Sequence, residues 1–600
     1  MILAENRIKR FFIAGGIILY LVFLLFYVNI SYPWVGHDFR YFLPRLLDTY
    51  IHSLNNGLSI QWFTPSFGGG LPAFPNPQQI QFSLTQFLVF MFNPWIANLI
   101  SIAVYTLIGY FACYFFGRNI LQFSWMVSVL CALFFVGSGF IIQHLASGHI
   151  NFHVYPLSAL FFYVLFSQAW KVWQRGVVLG MLLAIFIHAA GFYIVIVLVL
   201  SFFMVVPLVY LLQPNWRDIK GLTIAVVICV LSAVLLSGGK MYAVLGFMQN
   251  FPRVITDHYY SSFIQSLVGF VMQLIGVPLF TIPFRVLKDD PSAVGQMMTA
   301  LIGGSRFGLW EMDVAISPVL LYIFFLQFRK IPRKLRDIYR QKKIPVLQKD
   351  QVFALMVLVF GVWLAFEFTS ARGVLFDPIR TLPIVRSLYN NLRYAVSYLI
   401  PMVFLGGYFF NKEFSQVKKE KRIPTFSFFY LVTLLWLGVY FLLPYDLQSR
   451  NFNLQQTLSD YTSVKNGGTF QVSGIMDITD NLVFSNQASS LHPYENIFGY
   501  GQEEFLTQLV PGSIFLEESG FYNLTNPRSL VYDTDELFAR FTIDQRETME
   551  QFAQYQQPDW SIPRIQLVLN GISGATFWAI LGYGVYLLVR RLFLSSGRRF

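Results

Sequence analysis

The chain runs to 600 residues, of which 55% are hydrophobic, 18% aromatic and only 12% charged, with a mean hydropathy of +0.54. That is more apolar surface than a water-soluble globule can bury, and it marks an integral membrane protein. Three cysteines exclude a disulfide framework or a zinc module, and a net charge of +12 spread through short loops between apolar runs orients a chain in a bilayer rather than binding nucleic acid.

Apolar stretches of about 17 to 25 residues can cross the hydrocarbon as helices. In chain order they fall near 11–30, 96–116, 123–143, 154–170, 177–188, 192–212, 221–237, 314–328, 351–367, 394–410, 425–443 and 566–589. That makes about twelve predicted spans, with 177–188 too short to stand alone. Basic residues occupy alternate loops: Arg7, Lys9 and Arg10; Arg118; Lys171 and Arg175; Arg217 and Lys220; the run from Arg329 to Lys349; Lys412 to Arg422; and Arg590, Arg591, Arg598 and Arg599. The positive-inside rule then places both termini in the cytoplasm, with an even number of spans between them. The first span has the basic start of a signal peptide, but no small-residue cleavage pattern follows before Tyr32-Pro33-Trp34, so it is expected to remain as an anchor.

The long loops, 31–95, 238–313, 368–393 and 444–562, all fall on the opposite side. The expected fold class is an all-α polytopic membrane protein. Residues 1–443 form the transmembrane module, 444–562 a small extracytoplasmic α/β or β-rich domain tethered between two spans, and 563–600 a last span with a basic tail. The sequence shows no fixed-period repeat and no low-complexity segment.

Ionisable residues inside spans mark ion or proton pathways, because hydrocarbon penalises each of them. Here the spans are almost clean, with His188 and Glu367 the exceptions, so the polar residues at outer helix ends carry the functional reading. Gly36-His37-Asp38-Phe39-Arg40-Tyr41-Phe42-Leu43-Pro44 follows the first span. A carboxylate at that interface can take a proton from a sugar hydroxyl; Asp38 can equally cap the next helix, and one residue can do both. Ser147-Gly148-His149-Ile150-Asn151-Phe152-His153, with His144 just before it, offers three imidazoles. Without a carboxylate close in sequence, their spacing favours hydrogen bonds to loop backbone over a zinc site.

Ser237-Gly238-Gly239-Lys240 and Phe251-Pro252-Arg253 place cations where they can clamp a phosphate or anchor at the interface by snorkelling. The spacing of a Walker loop is absent. Arg306-Phe307-Gly308-Leu309-Trp310-Glu311-Met312-Asp313 leads into a span. Its two carboxylates can favour the helix dipole, or supply a second acid or a metal ligand facing Asp38. Arg386 and Arg393, near Leu382-Pro383, stand on an outer loop against the positive-inside bias, and an anionic ligand accounts for cations placed there.

In this order the motifs resemble the GT-C superfamily of membrane glycosyltransferases, and more closely the YfhO-like bacterial membrane proteins. The likeness rests on the 36–44 segment, Gly148-His149 with Pro156, Lys240 with Phe251-Pro252-Arg253, Trp310-Glu311, and Leu382-Pro383 with Arg386 and Arg393, and it covers most of 1–410. Asn523-Leu524-Thr525-Asn526-Pro527 is similar to an Asn-Pro element of relatives. The resemblance implies an enzyme of the bacterial cytoplasmic membrane. It would take a sugar from a polyprenyl-phosphate carrier and transfer it to a glycan, lipid or protein outside the cytoplasm, in cell-envelope polysaccharide modification; one carboxylate with several cations at the same membrane face suits a single, inverting displacement.

By the same resemblance Asp38 is the catalytic base, and Lys240, Arg253, Arg386 and Arg393 hold the donor phosphate. His37, Arg40, His149, His153, Arg306 and Glu311 line the substrate pocket. Several relatives carry an acidic pair where this chain has His37-Asp38. A divalent metal, Mg or Mn on Asp38, Glu311 and Asp313, therefore stays an open alternative to a metal-free site. Two other functions compete: a flippase or transporter of a lipid-linked saccharide, which the clean spans disfavour, and a non-catalytic envelope assembly protein, which leaves the interfacial motifs unexplained.

Overall fold

The computed structural model describes residues 2–36, 38–213, 218–251, 257–276, 309–341, 348–386, 388, 390–442, 450–495, 508–531 and 539–596. In hydrocarbon a backbone can satisfy its polar groups only within itself, so the apolar runs form helices. Among the described residues eight helices are long and apolar enough to cross a membrane: Asn6–Asn29, Pro94–Ile120, Trp125–Ser147, Phe192–Leu212, Ile219–Asn250, Lys349–Ser370, Asn391–Ser415 and Arg564–Leu587. The chain is a membrane protein.

The remaining four expected spans also fall on helices, though not on ones that meet that measure. Ile150–Phe166 and Val172–His188 are short, while Pro318–Gln341 and Lys419–Leu442 are 24 residues each but run into or out of basic segments. Val172–His188 lies along Ile219–Asn250, which packs in turn on the last helix, and Phe192–Leu212 packs on Lys349–Ser370.

Two interruptions place polar groups at helix ends. The Trp125–Ser147 stretch breaks after Val136 and restarts at Gly139, and Asn391–Tyr398 is a 3-10 segment before the α-helix Leu399–Ser415.

The strands concentrate in the C-terminal segment. Gly474–Met476 pairs parallel with Ala488–Ser490 and antiparallel with Gly512–Ser513, while Phe521–Thr525 lies between Glu517–Glu518 and Arg540–Thr542. With helices Gln455–Lys465 and Arg546–Ala553 this is a mixed α/β arrangement. It is hydrogen-bonded to the first loop. Trp34–Val35 pairs antiparallel with Phe452–Asn453, the Gly68 amide donates to the Ser490 carbonyl at 2.8 Å, and the Thr525 amide donates to the Gly69 carbonyl at 2.9 Å.

Helix Phe39–Asn56 supplies the polar half of the joint. Arg45, 8% exposed, donates to Asp480 at 3.0 Å and to Glu495 at 3.4 Å, with its guanidinium carbon over the Tyr41 and Phe67 rings. One turn on, the buried Asp48 accepts from Gln61 at 2.7 Å, from Thr64 at 2.6 Å and from the Tyr555 hydroxyl. Burial raises the Asp48 carboxyl above its ordinary pKa, against the pull of those donors.

Candidate functional site

Asp38 stands where the loop leaving the first span turns into helix Phe39–Asn56, and two glycines fix its position. Gly148, at φ +88°, ends helix Gly139–Ser147 in a left-handed turn. Gly36 lies so close to that turn that an added Cβ would meet the Ala146 carbonyl oxygen at 2.2 Å. Across this contact the Asp38 amide donates to the Ser147 carbonyl at 3.1 Å.

The carboxylate consequently faces His149, with Oδ2 2.8 Å from Nε2, and its Oδ1 accepts from the Tyr494 hydroxyl at 3.1 Å. It does not cap the helix: Asp38 occupies the cap position with helical dihedrals and makes no side-chain cap hydrogen bond. Its carboxylate is engaged by His149 and Tyr494 instead.

Glu311 and Arg393 come from two further segments. The turn Leu309–Met312 packs on Gly139–Ser147, and Asn391–Tyr398 packs on that turn. Side chains satisfy the irregular backbone here: Asn390 accepts from the Leu392 amide, and the Asn391 amide group donates to the His258 and Thr369 carbonyls. Arg393 grips Glu311 through Nε, at 2.5 Å, and through Nη2, with its guanidinium carbon 5.0 Å from the Phe152 ring centre. Burial alone would push the Glu311 carboxyl up; Arg393 outweighs it and holds the group well below the usual carboxylate range, so it is ionised.

Four expected residues, Asp38, His149, Glu311 and Arg393, thus come together from four separate segments. Arg40 joins them, its guanidinium carbon 3.6 Å from the Tyr494 ring centre. His153 is buried, and neither of its ring nitrogens has a hydrogen-bond partner among the described residues. Of the expected metal ligands Asp38, Glu311 and Asp313, Glu311 lies in a cluster of potential donors. Among the described residues the groups whose ligand atoms lie within 4.8 Å of one another are His144, His149 and Glu311, and Asp313, although buried, is not one of them.

Lys240 requires a correction. Its helix continues to Asn250, and its ammonium, 2% exposed, donates to the carbonyls of Phe74 at 2.6 Å and Asn76 at 2.9 Å. The ammonium therefore holds the first loop rather than facing an open phosphate site. Arg386 is exposed at the end of the short helix Pro383–Arg386. His37, Arg253 and Arg306 lie outside the described residues.

Sequence reasoning missed Tyr494, which reaches Asp38 across 456 positions. Its one local signal is the polar and aromatic run His492-Pro493-Tyr494-Glu495 within an otherwise ordinary loop. Chemically, the site offers a carboxylate oriented on one side by an imidazole and on the other by a phenol, next to two arginines. Such a set can accept a proton and stabilise an anion beside it.

No protein-family model matches the sequence, and no curated protein matches it. Among solved structures, the cryo-EM structure of arabinofuranosyltransferase AftD from Mycobacteria is similar to this chain at 12% identity, with a TM-score of 0.39. The similarity covers 78% of this chain and 29% of that one, so the chain spans less than a third of that protein's length.

Proposed function

We propose that this chain is a GT-C-type membrane glycosyltransferase that moves a sugar from a polyprenyl-phosphate donor onto a hydroxyl of an extracytoplasmic glycan, lipid or protein. The observation that supports it most directly is the Asp38 carboxylate, held by His149 and Tyr494 beside Arg40 and Arg393 just past the first span. The alternation of basic loops puts this end of the spans outside the cytoplasm, with both termini inside.

In the reaction Asp38 takes the proton of the acceptor hydroxyl. The freed oxygen pair bonds to the anomeric carbon, and the bond from that carbon to the phosphate oxygen breaks, its electron pair leaving on the polyprenyl phosphate. A single displacement of this kind inverts the anomeric centre. Arg40 and Arg393 neutralise the charge that develops on the leaving phosphate. Glu311 occupies Nε and Nη2 of Arg393, which leaves Nη1 for that anion. Arg386 and Arg253 are the remaining cations for the carrier lipid's phosphate.

Two imidazoles and one carboxylate suit Mg2+ poorly and a transition metal well, so any resident ion is of the second kind. A bound dication would add electrostatic stabilisation of the departing phosphate.

The test is turnover by purified protein in lipid nanodiscs, offered a panel of polyprenyl-phosphate sugars and an envelope glycan fraction. The reading predicts release of polyprenyl phosphate and a product of inverted anomeric configuration. Transfer of the intact lipid-linked sugar across liposomes, without release, would replace it with the flippase.

A further inference from the structure

We propose that His144, His149 and Glu311 form a binding site for one first-row transition-metal dication, with Zn2+ the ion their donor chemistry fits best. The site adjoins Asp38, so any part it plays in the reaction rests on the transferase reading, whereas its existence does not.

His144 supplies the first donor. Its Nδ1 lies 3.0 Å from the Phe140 carbonyl, which can only accept, so Nδ1 carries a proton and in the neutral ring Nε2 is a bare lone pair. That nitrogen is buried without a hydrogen-bond partner and points at the Glu311 carboxylate, 3.8 Å from Oε2. Two acceptors facing each other in a buried space, too far apart for a hydrogen bond, are unfavourable unless a cation lies between them.

His149 brings the third donor. Its Nε2 contact with Asp38 is the carboxylate–histidine arrangement that orients metal-binding imidazoles, and the ring shares with His144 and Glu311 a cluster whose ligand atoms lie within 4.8 Å of one another. Arg393 fixes the carboxylate of Glu311 in the same way, and each Glu311 oxygen keeps a second lone pair for a metal. Two His and one Glu form the donor set of an open zinc site, with a fourth position left for a water or a ligand oxygen. Mg2+ and Ca2+ prefer oxygen donors throughout, which disfavours them here. The neighbouring guanidinium opposes a dication, so the ion is expected to exchange under chelation.

Full-length protein expressed with added zinc is purified in metal-free buffer, its metal content measured, and the chelated protein titrated with Co2+ while visible absorption is recorded. The proposal predicts about one equivalent of zinc per chain, Co2+ bands of four-coordinate intensity, and at least about tenfold weaker Co2+ binding in His144→Ala. Asp313→Asn should bind as the wild type does, since Asp313 lies outside the donor set. Wild-type protein without stoichiometric zinc and without Co2+ bands overturns the site, as do unchanged bands in a folded His144→Ala protein. The wild-type Co2+ spectrum decides the matter even if His144→Ala does not fold. Metal bound without any sugar transfer keeps this site and removes the transferase reading, while transfer by protein that binds no metal does the reverse.

Discussion

The Tyr494 hydroxyl donates to Asp38 Oδ1 at 3.1 Å, so a residue of the C-terminal segment completes the surroundings of a carboxylate in the first loop. On the transferase reading Tyr494 is a positioning residue that holds the base in its attacking orientation. A hydrogen bond to a charged group contributes about 1.5–3 kcal/mol, so Tyr494→Phe should lower kcat by about tenfold or more. The donor KM should change little, because the lost bond orients the base and does not bind the donor. Steady-state kinetics of the two proteins check this; an unchanged kcat removes Tyr494 from the site.

Arg45 joins the same two parts of the chain through Asp480 and Glu495. Arg45→Met leaves two buried carboxylates without their cation and should destabilise the protein by about 3–5 kcal/mol. Replacing all three, as Arg45→Met with Asp480→Asn and Glu495→Gln, should recover most of that loss, because no unpaired charge remains buried. Denaturation in detergent measures both variants, and a triple variant no more stable than the single one would contradict the account.

Asp48 sets a pH dependence at the joint. Burial raises its folded-state pKa above the unfolded value, so between the two values the folded chain holds a proton that the unfolded chain has released. The stabilising contribution is complete below the ordinary aspartate range and is lost as pH rises through the folded value. Unfolding midpoints should therefore fall across that window, and Asp48→Asn should flatten the profile there. Asp480 is raised by burial as well, so some slope should persist in the variant.

Lys240 tests the corrected assignment. As a clamp on the Phe74 and Asn76 carbonyls it should matter for stability, and Lys240→Met should lower the unfolding midpoint while leaving the donor KM near the wild-type value. A large rise in donor KM without loss of stability would return Lys240 to the phosphate site.

The sequence was legible where a helix ends. Asp38, His149, Glu311 and Arg393 each flank an apolar run, and in the fold the ends of those runs meet. Lys240 was misread because its partners are backbone carbonyls, which leave no mark in the residue pattern, and because its helix continues past the apolar run that revealed it. His144 and Glu311 were both visible, yet as separate features, since only folding brings an imidazole and a carboxylate from different segments within 4.8 Å. The Arg45–Asp480 pair spans 435 positions, and nothing local in helix Phe39–Asn56 announces a partner so distant. Span counting was least secure where an apolar run merges with a basic one, as in Pro318–Gln341.

Whether Asp38 takes the proton of the acceptor is measured most directly by comparing polyprenyl phosphate release by wild-type protein and Asp38→Asn in nanodiscs. The substitution keeps the size of the side chain and removes its basicity. The account predicts a fall in turnover of about 10²–10⁴-fold with donor binding and unfolding midpoint near the wild-type values. Turnover by a folded Asp38→Asn protein at the wild-type rate would contradict it.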